Sequence, residues 1–285
     1  MSAPRQRPFH QVDVFTAEPY RGNPVAVVHD GSGLDDAQMQ AFARWTHLSE
    51  TTFLLPPTQP QADYRLRIFT PGGELPFAGH PTLGSCHAWL EAGGQPHATP
   101  YVVQQCGVGL VRLRREPDRL AFAAPPLQRS APSTTLLTRV ASALGLKAEQ
   151  PITARMLDNG TAWLGLLLDD PQTVLRLQPD FAALAATGHK IGVVARYAQP
   201  AAGTPDVEVR GFAPHLGVNE DPVTGSLNAS LAQWLMAEGL VPENYVAAQG
   251  ACLQRAGRVH LLRDGAGQVW VGGQSVTCIT GSARI

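Results

Sequence analysis

The sequence predicts a mixed α and β chain folded as two similar halves, and three observations carry that prediction. Strand-like runs alternate with helix-like stretches along the 285 residues. A Pro- and Ser-rich break, APPLQRSAPSTT (Ala124 to Thr135), interrupts the alternation near the middle. Finally, RIFTPGGELPFAGHPTLGS before the break is echoed by RGFAPHLGVNEDPVTGS after it. Each reads as strand, Phe-x-Pro, a loop with a Glu, then small residues opening a helix.

The elements follow in order. FHQVDVF (Phe9 to Phe15) and NPVAVV (Asn23 to Val28) are strands joined by a turn bearing Pro and Gly. A helix begins near Leu34, with Asp35 and Asp36 at its acidic start and Met39, Phe42 and Ala43 at helical spacing. The β-branched Thr51 and Thr52 with Phe53 to Leu55 form the next strand, and alternating ADYRLRIF (Ala62 to Phe69) another. FAGHPTLGSCHAWL gives a loop and a helix to about Ala92. Short strands near Tyr101 to Val103, Gly109 to Leu113 and Leu120 to Ala123 close the first half. After the break come a helix to about Leu146 and a hairpin at Asp158-Asn159-Gly160, where Asn-Gly suits a two-residue turn. Strands at Ile191 to Tyr197 and Val207 to Phe212 and a helix from Gly225 to Glu238 precede the last strands.

Composition narrows the function. Hydrophobic residues make up 44% and charged residues 16%, enough for a substantial core. A formal net charge of −1 gives no electrostatic case for nucleic acid or an anionic membrane as partner. The first residues lack an apolar signal core, and the densest apolar run, AWLGLLL (Ala162 to Leu168), is too short to span a bilayer. A soluble, cytoplasmic protein is expected. Cys86, Cys106, Cys252 and Cys278 are scattered without a CxxC pair and are expected to be free, buried thiols.

Candidate chemistry gathers at the helix starts. His80 and His87 lie about 10 Å apart along one helix, too far to share one small ion, so no metal is expected. From the residues alone His80 is either a capping or turn histidine or a ligand-holding group. Glu50, between Leu48 and Thr51-Thr52-Phe53, is either a surface glutamate or a carboxylate raised toward neutrality for proton transfer. Glu74 and Glu220 are either further site carboxylates or loop braces, Asp221 a site residue or a turn aspartate, and Ser226 a site residue or only an N-terminal helix residue. No G-x-S-x-G elbow, phosphate-binding loop or dinucleotide fingerprint occurs, so no nucleotide cofactor is expected. Two helix starts offering N–H groups and partial positive charge suit a carboxylate.

VDVFTAEPYRGNPVAVV, LSETTFL, FAGHPTLGS and NEDPVTGSLNASLAQWL, in this order, resemble the PhzF-like (phenazine biosynthesis) isomerase family over the whole chain. The resemblance implies the diaminopimelate epimerase-like fold: α+β, two similar domains, each a curved mixed sheet wrapped around a central helix, with the active site in the cleft between them. Residues 1–124 would form the first domain, to which a strand at 276–285 returns, and 125–275 the second. By motif, Glu50 matches the proton-shuttling acid/base, while His80 and Asp221 match polar residues that hold substrate and assist proton movement. Gly79 belongs to the first helix start, and Gly225 and Ser226 match the second, which binds the substrate carboxylate. Ala78 and Thr224 stand where related cofactor-independent epimerases carry catalytic cysteines, which argues against a two-thiol mechanism. Leu227 and Asn228 replace the more usual Ala-His, a departure expected to alter substrate contacts. The resemblance thus implies a cofactor-independent, homodimeric isomerase of a small carboxylate-bearing molecule; the alternative is a non-catalytic small-acid-binding or partner-binding protein on the same scaffold.

Overall fold

A computed structural model describes residues 4–147, 152–198, 200 and 203–285. It divides into two compact units, residues 1–123 with 272–285 and residues 124–271.

The first unit opens with β1 (Gln6–Val14), β2 (Asn23–Val28), α1 (Asp36–Thr46), β3 (Thr51–Leu55), β4 (Tyr64–Thr70) and β5 (Gly73–Leu75). It continues through α2 (Gly79–Glu91), β6 (Tyr101–Cys106), β7 (Gly109–Arg115) and β8 (Leu120–Ala123). The second unit holds β9 (Gln128–Ser130), α3 (Thr134–Ala143), β10 (Thr153–Asp158), β11 (Ala162–Leu167), α4 (Pro171–Arg176) and α5 (Phe181–Ala185). Then come β12 (Lys190–Arg196), β13 (Val207–Ala213), β14 (Val218–Asp221), α6 (Gly225–Ala237), β15 (Asn244–Gln249), β16 (Gly257–Arg263) and β17 (Val269–Gly273), before β18 (Ser275–Arg284) completes the first unit.

Pairing is the same in both units. In the first, β1 lies antiparallel between β2 and β18, β2 runs parallel to β3, and β3 is antiparallel to β4. β4 pairs with the short β5 and runs parallel to β6, which forms a hairpin with β7. In the second, β10 lies antiparallel between β9 and β11, β11 runs parallel to β12, and β12 is antiparallel to β13. β13 pairs with the short β14 and runs parallel to β15, which is antiparallel to β16. Each parallel pair needs a crossover, supplied by α1 and α2 in one unit and by α4–α5 and α6 in the other.

Both sheet faces are covered, which is why NPVAVV and VEVRGFA are almost wholly buried rather than alternating. In the first unit Val28, Phe53 and Phe69 meet Met39 and Ala43 of α1 on one face. On the other, α2 touches β1, β2, β3, β4, β8 and β18. In the second, Leu164, Leu166, Ile191, Val193 and Phe212 form one core with Val140 of α3, Val174 of α4 and Leu184 of α5. The opposite face takes α6. These two central helices are buried nearly all round: Gly79 to Cys86 and Ala88 in α2, and Leu227 to Ala232 with Trp234 to Met236 in α6. Close approach needs glycine. A Cβ on Gly84 would sit 2.5 Å from Val25 Cγ1 and 2.9 Å from Val14 Cγ2, and one on Gly192 would sit 2.2 Å from Leu227 Cδ1.

Three expectations need correction. The β10–β11 hairpin pairs Asp158 with Ala162, so its loop holds three residues rather than two, with Gly160 at φ 95°. Asn159 is spent elsewhere, as described below. The thiols are free but not uniformly buried: Cys86 is buried, Cys106 and Cys278 are half-buried, and Cys252 is exposed on a one-turn helix at Ala251–Leu253. Scattered cysteines carry no periodicity that marks which face they occupy. The helix expected to reach Leu146 ends at Ala143, followed by Gly145 at φ 70°. Among the described residues no helix is long and apolar enough to cross a membrane.

The C-terminal end of α2 carries a polar cluster. His87 Nε2 lies 3.4 Å and His10 Nδ1 3.9 Å from the Glu91 carboxylate, which accepts from Thr277 Oγ1 at 2.5 Å. The His10 and His29 rings meet edge-on at 4.4 Å. Burial, aided by His10, pushes His29 down to about 4, and burial also lowers His87. Below 6.5 the unfolded chain binds protons that these folded imidazoles refuse, so their contribution is full above 6.5 and is lost as pH falls toward 4.

Two outcomes are expected. Gly84→Ala should lower stability by about 1–3 kcal/mol in denaturant unfolding, because Val14 and Val25 must move. Gly73→Ala, with nothing near the new methyl, should stay within about 0.5 kcal/mol. The thermal midpoint should fall as pH drops from 6.5 toward 4, and His29→Gln should make that fall shallower; an unchanged slope would assign the effect to other groups.

Candidate active site

Among the described residues, four of the six α-helices close their first turn with a side chain. Asp35 accepts from Gln38 N–H in a capping box, Ser133 from Leu136, Asp170 from Thr173 and Asp180 from Ala183. The two central helices do not. α2 follows Ala78, and α6 follows Thr224, neither with a side-chain cap. Their first-turn N–H groups have no intrahelical acceptor, and the helix dipole makes each start partly positive. The site residues predicted from sequence lie at or beside these two starts.

In the first unit, Gly79 and His80 open α2. Glu50 immediately precedes β3, and its C=O accepts from Ala26 N–H at 3.4 Å, tying it to β2. This brings Glu50 Oε2 to 3.3 Å from His80 Nε2, with side-chain exposures of 15% and 7%. A carboxyl and an imidazole at that distance are near the usual reach for proton exchange. Beneath them, the buried Thr52 and Ser85 hydroxyls meet at 2.8 Å, joining β3 to α2.

In the second unit, Asp221 ends β14 and Gly225 and Ser226 open α6. Asp221 Oδ2 accepts from the Thr224 hydroxyl at 2.7 Å. That bond turns the one hydroxyl suited to capping α6 away from the helix. Ser226 Oγ accepts from Trp163 Nε1 at 3.2 Å, and Asn159 Nδ2 donates to the Ser226 carbonyl at 3.3 Å. With Trp163 donating to it, the Ser226 hydroxyl can direct its hydrogen to a ligand oxygen.

Other candidates fall into place. Glu74 and Glu220 brace loops: Arg67 grips Glu74 at 2.7 and 2.6 Å, and buried Arg210 grips Glu220 at 3.0 and 2.8 Å. His87 faces Glu91 at the far end of α2 rather than His80. Among the described residues no group of three or more His, Cys, Asp or Glu side chains is placed to hold a metal ion. The departure at Leu227 and Asn228 acts inside the unit. Leu227 is fully buried between Gly192 and Gly211, and Asn228 donates to the Thr224 carbonyl and to Gln249 Oε1. The expected change in substrate contacts is thus, for Leu227, a change in packing. Burial raises all four thiols above their ordinary value, Cys86 to about 12, which disfavours the reactive thiolate.

The contacts of Trp163 and Asn159 with Ser226, and of Gln249 with Thr224, are not legible in the sequence. Trp163 lies within the apolar run AWLGLLL, Asn159 reads as a turn residue, and Gln249 ends a strand. The available signal was weak: a buried indole N–H needs an acceptor, but the sequence does not say which.

Comparison with known proteins is consistent across the chain. The model of the family described as phenazine biosynthesis-like protein matches residues 12–281. A Schizosaccharomyces pombe protein named antisense-enhancing sequence 1 is 36% identical over 97% of this chain and 98% of its own. An uncharacterized isomerase from Pseudomonas aeruginosa is 33% identical over 98% of this chain and 99% of its own. The crystal structure of a Bacillus anthracis phenazine biosynthesis protein superposes with a TM-score of 0.84 at 22% identity, covering 99% of this chain and 100% of the other.

Alkylation of the native protein by iodoacetamide, followed by mass spectrometry, should modify Cys252 first and leave Cys86 unmodified until unfolding. Labelling of Cys86 in the folded state would contradict its burial.

Proposed function

The chain belongs to the phenazine biosynthesis-like family and is an isomerase by that kinship, and on this premise we propose that it moves a proton between carbons of a small, carboxylate-bearing substrate without a cofactor. Glu50 takes the proton from one carbon and returns it to another. The helix-start amides at Gly225 and Ser226, with the Ser226 hydroxyl, hold the substrate carboxylate. His80 and Asp221 hold the remaining polar groups, and the Gly79 amide adds to the positive potential at the first helix start.

The observation that carries this reading is the Glu50–His80 pair at the uncapped start of a buried helix. Placing a carboxyl and an imidazole out of water costs stability, and so does an uncapped helix start. Structure alone does not require both at one place, whereas proton transfer does. Removing a proton from carbon leaves negative charge that spreads toward an adjoining carboxylate. Fixed N–H donors stabilise that charge without having to reorganise. Glu50 contributes a base that becomes an acid once it holds the proton, a role typically worth about 10²–10⁴-fold.

The test is solvent exchange. Wild-type protein incubated in D₂O with small cyclic and amino carboxylates should incorporate deuterium at carbon in at least one. Glu50→Gln keeps size and hydrogen bonding but cannot shuttle a proton, so exchange should fall by about 10²–10⁴-fold with ligand affinity little changed. Asp221→Asn should weaken affinity and rate together. Binding without exchange in the wild type would favour a small-acid-binding protein instead. Near wild-type exchange in Glu50→Gln, with exchange abolished in Asp221→Asn, would make Asp221 the shuttle.

A further inference from the structure

The hydrogen-bond directions that link Asp221, Thr224 and Gln249 follow from one backbone amide. Thr224 N–H faces the side-chain amide of Gln249 at 3.0 Å, and a backbone N–H can only donate. The oxygen of Gln249 therefore points to the helix start, where it also accepts from Asn228 Nδ2 at 2.9 Å. Its NH₂ must point the other way, and there it donates to the Asp221 carbonyl at 3.0 Å and to Thr224 Oγ1 at 2.9 Å. Because the Thr224 oxygen receives that bond, its own hydrogen goes to Asp221 Oδ2, 2.7 Å away. Gln249 is 2% exposed and Thr224 5%, so water does not compete for these bonds. Both Gln249 amide atoms are fully engaged, two bonds each.

We propose that Thr224 and Gln249 are positioning residues that reserve Asp221 Oδ2 as a hydrogen-bond acceptor and so hold the carboxyl toward its charged form. The proposal rests on the reading of Asp221 as a site residue. Reversing the Thr224 hydroxyl would require Gln249 to turn its NH₂ toward the Thr224 N–H, setting donor against donor. Thr224 thus holds Asp221 through Oδ2 in one hydrogen-bond direction. The same bonds explain why a threonine at the N-cap position leaves the helix start open. Its hydroxyl is drawn to the carboxylate rather than to a first-turn amide.

The test reads the Asp221 carboxyl directly and needs no substrate. Protein labelled with ¹³C at aspartate carboxyls is titrated by NMR, with the Asp221 signal assigned from its loss in Asp221→Asn. Thr224→Val keeps the shape and removes the donor, so the Asp221 midpoint should rise by about one unit, the usual consequence of losing a hydrogen bond to the charged form. Thr224→Ala serves the same purpose should the valine variant not fold. Thr224→Ser should restore the wild-type midpoint. Gln249→Glu, which cannot donate from a carboxylate and draws the Thr224 hydrogen to itself, should raise the midpoint as well. An unmoved midpoint in the variants lacking the hydroxyl, or an equal shift in Thr224→Ser, would overturn the proposal. Failure of the functional reading would look different: no deuterium exchange by the wild type on any carboxylate, with these titration shifts intact.

Discussion

Each unit is organised by the need to bury one helix on nearly every side. A helix apolar around most of its circumference cannot lie on a sheet surface; it has to be surrounded. α2 meets this condition through contacts with six strands, and it fits because Gly84 lets Val14 and Val25 approach its backbone. α6 fits because Gly192 and Gly211 leave room for Leu227. The arrangement poses one polar problem, since a helix end deep in a protein still presents N–H groups that want acceptors. Four other helices satisfy theirs with Asp or Ser. α2 and α6 have no side-chain cap, and the residues proposed for chemistry lie at or beside their starts.

Much of this was visible in the sequence because it depends on local chemistry. The break beginning at Ala124 coincides with the boundary between the units at 123 and 124, since proline- and serine-rich segments resist both helix and strand. The acidic Asp35-Asp36 start and the Ser133 cap lie where side-chain capping predicts them. Glu50, His80, Asp221, Gly225 and Ser226 were marked by motif, and their neighbours in sequence place them at strand ends and helix starts. What stayed hidden depends on partners distant in sequence. Trp163 and Asn159 reach Ser226 across more than 60 residues, and Gln249 reaches Thr224 across 25. Short strands such as β5 and β14 were read as loop, because three or four residues are too few to show a period.

The internal repeat extends to polar detail. Arg67 of β4 holds Glu74 beside its hairpin, and Arg210 of β13 holds Glu220 beside the matching one. Gln104 at the parallel strand of the first unit donates to Thr82 of α2, while Gln249 on the matching strand receives Asn228 of α6. One glutamine therefore ties strand to helix in each unit. Beyond that the units diverge. Gln104 accepts from the phenol of Tyr64, whereas Gln249 reaches Asp221 through Thr224. The same scaffold carries an acid–imidazole pair in one half and a hydroxyl–carboxylate pair in the other.

The pairing of β1 with β18 has a consequence for how the chain is made. The second unit is one uninterrupted stretch, residues 124–271, and can fold as soon as that stretch has left the ribosome. The first unit is begun earlier but finished later. β1 is flanked by β2 on one side and by β18 on the other, in a register joining Gln6 to Arg284. Until residues 275–284 emerge, one edge of the earliest strand stands open, a template for pairing with another nascent chain. The half of the protein synthesised first is thus the half that waits longest for its native partner.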